Sequence, residues 1–117
     1  MTAQRIFTAR DFIQLSDADP IRSVVTQSPD AVVVMWHVLP GQRIPPHVHP
    51  AGQDTWTILA GSGDYIVDAA GASRPLSAGQ VAIAQVGQVH GVINNGSEPL
   101  QFISVVAPAE AGYQLVD

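Results

Sequence analysis

The chain places Gly41-Gln-Arg-Ile-Pro-Pro-His47-Val-His49 ahead of Asp54 and Gly61, and a second block carries Gly79, Gly87, His90 and Asn94. Three of the four histidines fall in these two blocks. On a β-strand, side chains two residues apart share a face, so His47 and His49 can aim both imidazoles at one point, roughly 6–7 Å apart along the strand. A third imidazole, from His90 on another strand, completes a facet of three nitrogen donors, which suits a first-row transition metal. Metal-dependent chemistry inside a small β-protein is the leading expectation.

Composition narrows the alternatives. There is no cysteine, which removes disulfides, thiolate ligands and cysteine nucleophiles. There is no lysine either: the five cations are Arg5, Arg10, Arg22, Arg43 and Arg74, so Schiff-base catalysis has no side chain to use. A net charge of −5 with no basic run argues against nucleic acid, whose phosphates need clustered cations. No segment approaches the roughly 20 apolar residues of a membrane span, and the N-terminus has no apolar signal-like run. The expectation is a cytoplasmic protein that binds neither nucleic acid nor membrane.

The elements that must hold these residues read as short strands closed by turns. Ile21–Gln27 and Ala31–Leu39 flank the turn residues Ser28-Pro29-Asp30, and the second run is apolar enough for burial on both faces. Strands follow at 55–60, 64–69, 74–77, 81–85, 89–94 and 100–107, with Asn95-Gly96-Ser97-Glu98-Pro99 as the last clear turn. Only the N-terminus suggests helix. Thr8 and Asp11 have capping-box spacing, and residues 9–15 can make one or two turns. Residues 108–117 read as a tail lying on the body or exchanged with a partner subunit. Many short strands with Gly/Pro turns mean a sandwich or barrel, here one all-β domain over residues 1–117.

The two blocks together resemble the motif pair of the cupin superfamily. Its first motif runs glycine, five residues, His-x-His, three or four residues, glutamate, six residues, glycine. Gly41, His47, His49, Asp54 and Gly61 keep that spacing, with Asp in place of Glu. Its second motif has glycine, proline, glycine, histidine and asparagine, and Gly79, Gln85, Gly87, His90 and Asn94 keep its spacing with Gln in place of Pro. The resemblance implies a jelly-roll barrel, a double-stranded β-helix with a ligand site in its mouth. It also implies a metal, often Fe, Mn, Ni or Zn, held by the motif histidines, and a homodimer.

For the fourth ligand the family spacing allows Asp54 or Gln53, because the only glutamates, Glu98 and Glu110, lie outside the motif. Alternation favours Asp54: if it faces inward so do Trp56 and Ile58, while Thr55 and Thr57 face out. Asp54 is one methylene shorter than Glu, so it either completes the metal site or stands behind it as a general base. His37, on an apolar strand, is read as a core or interface residue. Trp36 and Trp56 are read as packing, with Trp56 the nearer to any ligand, and Arg43 as a solvated loop residue. Alternation also assigns Trp56, Ile58, Val81, Ile83 and Val92 to the inner wall.

Two kinds of function remain open on these residues. One is a metal-dependent enzyme of oxygenase, isomerase or lyase type acting on a small organic molecule. The other is a binding module that captures a ligand or a metal without turnover, which the shortage of proton carriers beyond Asp54, Tyr65 and His37 supports. A barrel whose histidines hold no metal is a third.

Overall fold

A computed structural model describes residues 4–116. Its strands are β1 Ser23–Gln27, β2 Val32–Val38, β3 Arg43–Val48, β4 Gln53–Ala60, β5 Ser62–Ile66, β6 Ser73–Ser77, β7 Val81–Ala84, β8 His90–Ile93, β9 Leu100–Ala107 and β10 Gln114–Leu115. They form two five-stranded antiparallel sheets, ordered β1-β2-β9-β4-β7 and β10-β3-β8-β5-β6. This is the jelly-roll barrel that the resemblance to cupins implied. Among the described residues no helix is long and apolar enough to cross a membrane.

Alternation builds the interior. In β9 Leu100, Phe102, Ser104 and Val106 are buried, and the residues between them are only partly so. In β4 Asp54, Trp56 and Ile58 are buried while Gln53 and Thr57 are exposed, as the period-two pattern requires. The two rows run side by side, with Asp54 paired to Val106, Trp56 to Ser104 and Ile58 to Phe102. These two rows are therefore apolar at their Ile58–Phe102–Leu100 end and polar where Asp54 and Ser104 meet. Val38, Ile44, Tyr65, Leu76 and Val92 join that apolar core.

β2 is buried on both faces, as its composition suggested: Val34 and Val38 on one, Met35 and His37 on the other. The N-terminal turn is shorter than expected and of another kind. It is a 3-10 turn at Ala9–Phe12, and Thr8 at its start makes no side-chain capping bond. A capping box needs a side chain at the third position that reaches back, and Asp11 is too short for the usual reciprocal bond.

β7 departs from the expected wall. Val81 and Ile83 are 63% and 45% exposed, whereas Ala82 and Ala84 turn inward opposite Trp56 and Asp54. The Trp56 ring, 4.3 Å from Phe102 and 4.6 Å from His90 between centroids, fills the space beside it. Only alanine-sized side chains fit opposite, so the β-branched pair faces out.

Two glycines let the motif strands approach closely. Gly61 has φ +80°, and a Cβ there would collide with the Pro99 carbonyl oxygen. Gly91, next to His90, would place a Cβ 2.6 Å from the Ile44 carbonyl oxygen. That approach occurs where β3 slips register against β8, between Ile44 and His47. Pro45 and Pro46 occupy the slip and have no N–H to give to the ladder.

The C-terminal segment lies on the body of the same chain. Gln114 and Leu115 pair with Val48 and His47 of β3, and the Ala51 N–H donates to the Ala111 carbonyl at 2.8 Å.

Candidate metal centre

Three strands and one strand end bring four side chains together. His47 stands near the end of β3, His49 just beyond it, Asp54 on β4 and His90 at the start of β8. All four are buried, and one ligand atom from each lies within 4.8 Å of every other. Asp54 Oδ2 is 3.3 Å from Nε2 of both His49 and His90. Donors about 2.1 Å from a shared ion lie about 3.0 Å apart at a right angle and about 3.4 Å apart at the tetrahedral angle. The 3.3 Å spacings fit a common ion, and the shorter Asp reaches the cluster directly.

Hydrogen bonds hold each imidazole by its other nitrogen. His47 Nδ1 lies 2.7 Å from the Pro45 carbonyl oxygen, and His49 Nδ1 lies 2.7 Å from that of Gly112. A carbonyl can only accept, so both rings carry Nδ1–H and present the lone pair of Nε2 to the cluster. His90 Nδ1 lies 3.1 Å from the Tyr65 hydroxyl. Metal binding at His90 Nε2 requires Nδ1–H to donate to the Tyr65 oxygen. Nε2 of His49 and of His90 is buried without a hydrogen-bond partner, because the 3.3 Å contacts to Asp54 lack hydrogen-bond geometry. Two buried, orphaned lone-pair nitrogens beside a carboxylate are what a divalent cation would satisfy.

The electrostatics agree. Burial pushes His47 down to about 4, against its bond to Pro45, so it is neutral at ordinary pH. Burial also opposes charge on His49, but the Asp54 carboxylate and the Gly112 carbonyl outweigh it and move His49 above its usual value. Burial alone would raise Asp54. Contacts with His49, His90 and Ser104 instead hold it well below the usual carboxylate range, so it is ionised. The Ser104 hydroxyl donates to Oδ1, leaving Oδ2 for the cluster.

Gln53 is exposed on the outer parity of β4 and is no ligand candidate. His37 is buried away from the cluster, with Nδ1 unpartnered, and burial lowers its pKa. Asn94 is more than a turn-former: wholly buried, its amide donates to the carbonyls of Val38 and Glu98 and its Oδ1 accepts from the Gly96 N–H.

The cluster opens into a cavity of about 560 Å³. Val34, Trp36, Ile44 and Trp56 give it apolar walls, and Arg22, Arg43 and Tyr113 also line it. Trp36 is only partly buried whereas Trp56 is 1% exposed, so Trp36 offers a ligand the larger surface. Arg43 stands on β3 against the cavity, not on a free loop. Sequence reading missed four contributors: Arg22, Ser104, Gly112 and Tyr113, whose ring centroid lies 4.6 Å from that of His47. Ser104 alone could have been found, as the one polar residue on the inward row of β9.

Comparison with known proteins accords with this geometry. The cupin-domain family profile matches residues 34–106. Germin-like protein 5-1 of Oryza sativa subsp. japonica is 33% identical over 84 residues, which cover 68% of this chain. The match spans only 36% of that longer relative. Among solved structures, an uncharacterised conserved protein with a double-stranded β-helix domain from Klebsiella pneumoniae is 50% identical, with a TM-score of 0.94 over 98% of this chain and 99% of that one. The TT1209 protein of Thermus thermophilus is 25% identical, with a TM-score of 0.83 over 91% and 99% of the two chains. The barrel, the two motif blocks and the profile match agree: this chain belongs to the cupin family.

Proposed function

We propose that the chain is a single-domain, metal-dependent cupin enzyme acting on a small organic molecule in the barrel mouth. His47, His49, His90 and Asp54 hold a divalent transition metal of the Fe, Mn, Ni or Zn group. The observation that carries this reading is the convergence of four buried ligand atoms within 4.8 Å. The orientation of the His47 and His49 rings by carbonyls at Nδ1 supports it. When bound, the metal supplies Lewis acidity or, for Fe or Mn, redox capacity.

The chain's own residues do the rest. Trp36, Val34 and Ile44 keep bulk water from one side of the cavity. Asp54, ionised and steadied by Ser104, offers Oδ2 as ligand or proton acceptor. Tyr65 accepts from His90 Nδ1–H when His90 Nε2 faces the metal, and it stays neutral because burial and the nearby Asp54 charge push its pKa up.

One observation favours a second reading, a barrel that binds without turnover. Tyr65 and His37, the other candidate proton carriers, do not line the cavity, so Asp54 stands there without a second acid or base from that pair. Elemental analysis of tag-free protein after dialysis against metal-free buffer tests the metal. Near-stoichiometric metal is expected, and its absence even after reconstitution would overturn the metal reading. Product formation from candidate substrates by the loaded protein then separates enzyme from binder.

The proposal includes a homodimer. The outer face of the β1-β2-β9-β4-β7 sheet sets exposed Val81 and Ile83 in register with Thr57 and Thr55, which in turn pair with Ile103 and Val105. An apolar sheet face of this kind marks an association surface. By light scattering the wild type should be a dimer. Ile83→Glu should be monomeric with its metal content unchanged. A monomeric wild type would remove the dimer from the proposal.

A further inference from the structure

The cavity is lined by two arginines that the metal site does not use. Arg22 lies just before β1 and Arg43 opens β3, so each sheet contributes one guanidinium to the rim. Among the described residues no carboxylate lies within ion-pair distance of either; the ion pairs found are those of Asp54 with His49 and His90. Asp19 also lines the rim but stays outside that distance. In a chain of net charge −5 with only five cations, two arginines at one cavity with no ion pair among the described residues make a local positive field against the overall balance.

The rest of the lining selects among anions. Val34, Trp36, Ile44 and Trp56 line the same cavity with hydrocarbon and aromatic surface. A volume of about 560 Å³ is within the range that encloses a small organic molecule. No lysine and no glycine-rich cradle of backbone N–H groups is present to wrap a phosphate. A planar guanidinium matches a carboxylate through paired N–H donors.

We infer that the cavity takes a small organic carboxylate, its carboxylate group held by Arg22 and Arg43 and its apolar body lying against Val34, Trp36 and Ile44. The far end of the ligand then meets the metal cluster. This deepens the metal-enzyme reading and rests on it for that far end.

The test titrates matched carboxylates and primary amides (benzoate with benzamide, phenylacetate with phenylacetamide, hexanoate with hexanamide) into Zn²⁺-loaded and chelator-treated protein. Elemental analysis accompanies each sample, so failure of the metal reading shows independently of anion preference. At least one carboxylate should bind about tenfold or more tighter than its amide. Arg22→Gln and Arg43→Gln should each remove most of that preference with metal content and Tm unchanged, and Arg43→Lys should restore part of it. No preference for any carboxylate overturns the inference. So does a preference that survives both glutamine substitutions, which would place recognition on the metal alone. Inorganic phosphate binding as tightly as the best carboxylate overturns the carboxylate class.

Discussion

Adding a slight excess of Zn²⁺, Mn²⁺, Ni²⁺ or Fe²⁺ to chelator-treated protein should raise its Tm by about 15 °C for the metal that fits, and His49→Ala should abolish the shift. The magnitude follows from mass action. A ligand that binds only the native state at about 1,000 times its Kd adds about 4 kcal/mol. For a domain near 100 residues each kcal/mol moves Tm by about 4 °C or more. The donors exist as a set only in the folded barrel, because His90 meets His47 through the pairing of β3 with β8 and meets Asp54 across the two sheets, not through sequence. His49→Ala deletes one orphaned nitrogen and leaves Asp54 with one imidazole fewer. The diagnostic quantity is the metal-induced shift, not the absolute Tm, so a less stable variant still reads clearly. His90→Gln gives a second route should the alanine variant fail to fold. Gln53→Ala is the control: exposed on the outer parity, it should keep the full shift. No shift with any of the four metals would make the cluster a set of polar residues in a metal-free barrel.

The parts of this site that were legible in the sequence share one property, namely that a local period or a fixed spacing carries them. Asp54, Trp56 and Ile58 alternate with Thr55 and Thr57, and β4 buries the expected set. β9 has the bounds read from its apolar run, residues 100–107. The motif glycines Gly41, Gly61, Gly79 and Gly87 all adopt positive φ, as turn positions required. What was not legible depends on the fold. In β7, Val-Ala-Ile-Ala alternates equally well either way, and only the Trp56 ring opposite decides that the alanines go in. Gly112 and Tyr113 sit far along the chain from the histidines, and no local pattern could place the Gly112 carbonyl on His49. Arg22 and Arg43 are unremarkable in sequence and acquire meaning only because two sheets bring them to one rim.

Metal affinity should fall by up to about 100-fold between pH 6.5 and pH 4.5, and the metal-free barrel should show a different profile, with maximal stability near pH 6.5. The first effect comes from His49. Asp54 and the Gly112 carbonyl raise its pKa in the fold against the effect of burial, so as the pH falls a metal must displace a proton from it, at up to about tenfold per pH unit. The second comes from two opposite shifts. His47 is lowered to about 4, so its folded form stays neutral while the unfolded chain takes a proton. Its stabilising contribution is complete above about 6.5 and is lost as the pH falls towards about 4. His49 is raised, so its contribution is complete below its unfolded value and is lost as pH rises through the folded one. Asp54, held below the usual carboxylate range, adds a further loss only in stronger acid. Chelator competition at a series of pH values measures the first profile, and urea denaturation of metal-free protein measures the second. Equal metal affinity at pH 5 and pH 7.5 would remove the histidines from the ligand set, because no imidazole ligand of raised pKa can bind a metal without releasing its proton.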